Sequence, residues 1–254
     1  MIEGAAGMPA SHTSLDSMLG GRVRLWQPVR GYRAAVDPVL LAAAIPAEPG
    51  DTVLDVGAGA GAAALCVAAR VPQVRLTLLE IDADTADLAE ANVKAAALSP
   101  APTVLIGDLA APPEELRGAT FDHVMTNPPY MARARGTPAS TRNAGARQEG
   151  ELDLTGWIRR CCRLVRYRGT LTVIHRADRA DDLLAALVAA GAGGIALFPL
   201  WPRAGVAAKL ILVQARPGSR APMRVLPGLV LHGERSAFTT EAEAILREAA
   251  PIIL

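Results

Sequence analysis

Along residues 52–215, short apolar runs alternate with longer stretches whose apolar residues recur at helical spacing. The runs at 52–56, 74–80, 103–107, 121–126 and 169–175 are rich in Val, Leu, Ile and Thr and too short for helices, so they predict strands. The stretches ending near 70 and 98, together with 152–165 and 179–190, predict the helices between them. Strand and helix repeated in this order build parallel βαβ units. Runs at 195–200 and 207–215 are separated by only a short loop and predict an antiparallel pair at one edge. The pattern thus predicts an α/β fold, a doubly wound, mostly parallel, seven-stranded sheet with an antiparallel edge hairpin and helices on both faces. A loop with prolines over 217–227 should lead to a short strand near 229–232 and a last helix at 241–250.

At 254 residues and 51% hydrophobic, the chain is long enough for a full core and fits one domain. We read 1–20 as a flexible leader and 21–254 as a single domain, made of an N-terminal segment (21–50), a core (51–216) and a C-terminal strand and helix (217–254). A net charge of +1 excludes a global field that would draw nucleic acid nonspecifically, so any such contact must be local. The three cysteines, Cys66, Cys161 and Cys162, are odd in number, lie in apolar helical patterns and lack metal spacing. A reducing compartment, the cytoplasm, and no metal are expected. Residues 183–201 carry no charge, but Gly191, Gly193, Gly194 and Pro199 interrupt them, which predicts a helix end and a core strand and not a membrane span. His123, His175, Trp26, Trp157 and Trp201 are read as packing residues.

The first core strand runs into Asp55-Val56-Gly57-Ala58-Gly59-Ala60-Gly61 and then a helix, a turn that lets backbone approach a nucleotide. Taken alone, the turn also satisfies the looser dinucleotide fingerprint. Glu80, ending the second strand where a ribose-binding acid would sit, leaves both cofactor classes open; Asp55 inside the turn, Asp108 just after the third strand and the Asn127 motif after the fourth favour S-adenosylmethionine. Glu80 would accept from ribose hydroxyls, with Ile81 beside it. Asp108 would accept from the adenine amino group, the Leu109 N–H would meet a ring nitrogen, and Asp55 would face the methionine end.

After the fourth strand comes Asn127-Pro128-Pro129-Tyr130. Two prolines hold the asparagine rigid, so its side-chain carbonyl and the Pro128 carbonyl can converge on one NH2 group. Tyr130 can lie against the flat group carrying that nitrogen. Arg133, Arg135, Arg142 and Arg147 then populate a polar loop suited to phosphates.

These residues resemble the class I S-adenosylmethionine methyltransferases, and more closely the bacterial tRNA(Val) adenine-N6 methyltransferases. The segment from Gln27 through Gly31-Tyr32-Arg33 to Asp37-Pro38-Val39-Leu40-Leu41, the glycine turn, Asn127 to Tyr130 and Ala146-Arg147-Gln148-Glu149 carry the resemblance. It implies that residues 21–50 form a lid, placing Tyr32 and Asp37 near the methionine or target pocket; Asp37 can equally cap the helix starting at Pro38. It also implies cofactor-binding roles for Gly57, Ala58, Gly59 and Gly61, catalytic roles for residues 127–130, and tRNA as partner. Release-factor glutamine methyltransferases use the same cradle on a protein amide, and a nicotinamide-dependent oxidoreductase or noncatalytic nucleotide-binding protein is the alternative from another class.

Overall fold

The computed structural model describes residues 13–29, 35–129, 152–233 and 237–254. Its centre is a nine-stranded sheet. Strands β3 (Thr52–Val56), β4 (Arg75–Glu80), β5 (Thr103–Ile106), β6 (Phe121–Thr126) and β7 (Val165–Arg176) pair in parallel, in the order β7-β6-β3-β4-β5. Next to β7 the antiparallel partners β9 (Leu210–Pro217) and β8 (Ala192–Trp201) complete the expected seven. Two short strands, β10 (Arg224–Val225) and β11 (Leu229–Val230), extend the sheet parallel to β8. Of these, β10 was not anticipated, because two residues carry no period.

Helices cover both faces, and side-chain alternation along each strand sorts the core in two. Val53 and Met125 face a cluster that includes residues of α1 (Asp37–Ala43), α2 (Ala62–Arg70) and α6 (Thr240–Glu248), with Val93 and Ala89 of α3 (Ala83–Ala96). Leu54, Val56 and Val124 face the other, with α4 (Leu154–Leu164) and α5 (Ala180–Ala189). Cys66, Cys161 and Cys162 are buried and free; burial pushes the Cys66 thiol up to about 12 and Cys162 to about 11.

Residues 13–18, assigned from sequence to a leader, instead form β1 (Thr13–Met18), paired antiparallel with β2 (Val23–Pro28) through a tight 3-10 turn. Asn92 of α3, fully buried, ties this hairpin down. Its Oδ1 accepts from Trp26 N at 2.7 Å, and its Nδ2 donates to the carbonyls of Trp26 and Ala60, each at 2.9 Å. One amide thus joins the hairpin, α3 and the glycine turn. The uncharged stretch 183–201 divides between α5 and β8, and among the described residues no helix is long and apolar enough to cross a membrane.

Candidate active site

The carboxyl ends of β3, β4 and β6 open into a cavity of about 700 Å³. Ligands of open parallel sheets bind at this edge, where the loops leave the strands. Asp55, Gly57, Ala58, Gly59, Glu80, Ile81, Asn127, Pro128 and Pro129, all singled out from sequence, line it together.

The turn after β3 is held shut by its neighbour strand. Gly57 and Ala58 N–H donate to Leu79 O at 2.9 and 3.0 Å, while Gly59 N–H donates to Glu80 Oε2 at 2.8 Å. Glu80 Oε1 also accepts from Ile81 and Asp82 N–H at 2.9 and 3.0 Å. A carboxylate fixed by three amides is a preorganised acceptor, with lone pairs left for ligand hydroxyls. Gly57 has φ 72, a backbone region that favours glycine, and it sits against the Trp157 ring, which a Cβ there would meet at ordinary contact distance, 3.4 Å. Gly61 caps α2 from the left-handed region and packs under Leu78, supporting the turn from beneath.

Asp55 is 2% exposed, and its Oδ2 has no hydrogen-bond partner. Burial raises its carboxyl to about 7, against a backbone hydrogen bond at Ala64, with the Glu80 charge adding to the rise. An unpartnered buried acceptor facing a cavity has a ready use for a cationic or N–H-bearing ligand. This fits the ammonium of the methionine moiety of S-adenosylmethionine.

Asn127 follows β6 and is half-buried, with Pro128 buried and Pro129 exposed. The strand end is fixed from below: Thr126 Oγ1 donates to Val56 O at 2.8 Å and accepts from Trp157 Nε1 at 3.1 Å. Trp157, read from sequence as packing alone, therefore forms a wall of the cavity and braces the residue before Asn127. Gln27 and Pro28 of the unexpected hairpin also line the site. Both fall inside the segment 21–50 read from sequence as a lid, with Gln27 opening the stretch that carries the resemblance; Trp157 had no signal beyond sitting in the first turn of a helix.

Asp37 begins α1 without capping it by a side-chain bond, and burial raises its carboxyl; its neighbours Pro38 and Leu41 line the cavity. Asp108 and Leu109 follow β5, the strand beyond Glu80, and are not among the lining residues. Asp108 Oδ1 accepts from Ala110 N–H at 2.7 Å, and the Leu109 side chain is in the core. Tyr32, Tyr130, Arg133, Arg135, Arg142 and Arg147 lie outside the described residues.

Similarity to known proteins agrees with this geometry. The family model for the methyltransferase small domain matches residues 35–156. The fold is a methyltransferase fold. A crystal structure of a predicted O-methyltransferase from Agrobacterium tumefaciens superposes with a TM-score of 0.69 at 28% identity, covering 85% of this chain and 97% of that one. A tRNA1(Val) (adenine(37)-N6)-methyltransferase of Porphyromonas gingivalis is 36% identical over 157 residues, 59% of this chain and 61% of the relative. A release factor glutamine methyltransferase of Rhodopirellula baltica is 36% identical over 89 residues, 34% of this chain and 29% of the relative. The matches span about three fifths of the length of the adenine-N6 relatives.

Proposed function

We propose that this protein is a cytoplasmic S-adenosylmethionine-dependent N-methyltransferase whose acceptor is an exocyclic amino group, N6 of adenine in tRNA. The observation that carries this reading is that one cavity holds both a buried Asp55 carboxylate with one unpartnered oxygen beside the Glu80 acceptor and the rigid Asn127-Pro128 pair. Glu80 would hold the ribose hydroxyls and Asp55 the methionine ammonium. When bound, S-adenosylmethionine supplies a methyl on a sulfonium, whose S–C bond breaks as the N–C bond forms, the electron pair leaving on sulfur. Asn127 Oδ1 and the Pro128 carbonyl accept the two amino hydrogens, which localises the nitrogen lone pair and stabilises the positive charge that develops there. The proton then leaves to water. Orientation supplies most of the acceleration, so no strong base is required of the chain.

An exocyclic amine fits a pair of acceptors, whereas a hydroxyl would leave one acceptor empty, which argues for N- over O-methylation. The adenine-N6 relatives support tRNA as the substrate. The glutamine relative supports the protein amide as second reading, since that NH2 presents the same two hydrogens. Transfer of labelled methyl to bulk tRNA and, separately, to release factors, followed by nucleoside and peptide mass analysis, decides between them. N6-methyladenosine in tRNA, lowered at least ~100-fold in kcat by Asn127→Ala (about 3 kcal/mol) with cofactor affinity retained, is the expected result. Label in protein alone would reassign the substrate to an amide.

A further inference from the structure

At the amino edge of the sheet, away from the cavity, β7 joins β6 irregularly. Phe121 pairs with Val165 but His123 pairs with Thr170, so residues 166–169 bulge out of the ladder. This bulge is built and not slack. Arg166 forms an ion pair with the buried Asp122, and Arg168 sits at φ 66, a backbone region that L side chains rarely adopt. Gly169 is obligatory, because a Cβ there would lie 2.5 Å from Asp122 O. Between the two arginines Tyr167 stands 89% exposed.

The helix leading into the bulge adds to it. Ile158, Cys161 and Cys162 of α4 face the core, leaving Arg159 and Arg163, one turn apart, exposed. Residues 154–175 contain five arginines and no acidic residue, whereas α3, on the other flank of the sheet, exposes Asp84, Asp87 and Glu90. A net charge of +1 therefore hides a segregation of sign. An arginine row ending on an exposed aromatic between two arginines matches a phosphate backbone with an unstacked base.

We propose that Arg159, Arg163 and the Arg166-Tyr167-Arg168 bulge form a second RNA-binding surface, which grips phosphates of a stem remote from the methylated base. This rests on the tRNA reading above. From Thr170 to Arg176, β7 spans ~20 Å at about 3.3 Å per residue, so the 166–169 bulge is out of reach of a nucleotide held in the cavity, and Arg159, two residues along α4 from the Trp157 wall, lies on the path between them. Only a folded RNA can occupy both.

The test compares the full-length protein with a variant carrying Arg159→Gln, Arg163→Gln and Arg168→Gln, and with Tyr167→Ala; Arg166 and Gly169, which hold the bulge, stay. Each is assayed on full-length tRNA and on a short stem-loop containing the same adenine. For the triple variant we expect KM for tRNA to rise ~10-fold or more. Its salt slope of tRNA binding should fall by about 2, at roughly 0.7–0.9 for each phosphate no longer neutralised. kcat, cofactor affinity and the stem-loop KM should be unchanged. Tyr167→Ala should weaken tRNA binding with no change in salt slope. An unchanged tRNA KM and salt slope in the triple variant, or an equal loss on both RNAs, overturns the second surface while methylation of tRNA stands. A wild-type protein that neither binds nor methylates tRNA overturns the substrate reading and this inference together.

Discussion

Asp55 and Asp122 sit on neighbouring strands, β3 and β6, and both are almost completely buried, yet the protein treats them in opposite ways. At the amino edge, burial pushes Asp122 up, but the Thr52 hydroxyl and amide, at 2.5 and 2.8 Å, outweigh it with help from Arg166 and His123. The carboxyl ends below its ordinary value. At the carboxyl edge nothing outweighs burial, and Asp55 rises to about 7 with one oxygen unpartnered. The difference separates a charge used for cohesion from one held ready for a ligand. A carboxylate left costly to ionise in the empty protein is relieved when a cation arrives.

The largest test of that contrast is Asp55→Asn. A carboxyl whose folded value is raised lends stability that is fully present below about 3.8 and lost as pH rises through about 7. At pH 8 the asparagine variant should therefore make the empty protein more stable than wild type by on the order of 3 kcal/mol, seen as a higher Tm, with the gain disappearing near pH 4. Its cofactor affinity should fall at least ~10-fold, as expected on removing a charge-assisted hydrogen bond. Loss of stability at pH 8 would show that Asp55 is structural. The difference between variant and wild type is the quantity to follow, because His175 titrates in the opposite sense. Burial, then Arg179 and Arg176, lower it to about 4, so its contribution is lost as pH falls from 6.5 through about 4.

Next in size, Asp122→Ala should destabilise by about 2 kcal/mol, since it strands the Thr52 donors and Arg166. The kcat per folded molecule should not change, whereas KM for tRNA should rise as the bulge loses the anchor of Arg166, and a denaturant midpoint equal to wild type would remove the contrast. The smallest effect is expected of Trp157→Phe, which keeps the ring against Gly57 but removes the N–H that holds Thr126. kcat should fall by about 1 kcal/mol, or ~5-fold, with cofactor Kd within a factor of about two, if bracing Asn127 is its task. A change in Kd alone would make it a cofactor wall and nothing more.

The parallel sheet, the glycine turn and the Asn127-Pro128-Pro129 motif were legible because each rests on neighbours in sequence: period, glycine φ and proline rigidity act over a few residues. Even the gathering of Asp55, Glu80 and Asn127 was legible, since consecutive parallel strands deliver their carboxyl ends to one edge. By itself, then, the chain determined the fold class and the cavity's principal residues. Only the tertiary structure decided that β1 and β2 fold over the site, that Asn92 clamps them to the glycine turn, and that Trp157 braces the target end. It likewise decided that Asp122 is satisfied while Asp55 is not, because partners from distant segments set the free energy of a buried charge, and periodicity does not encode which segments meet.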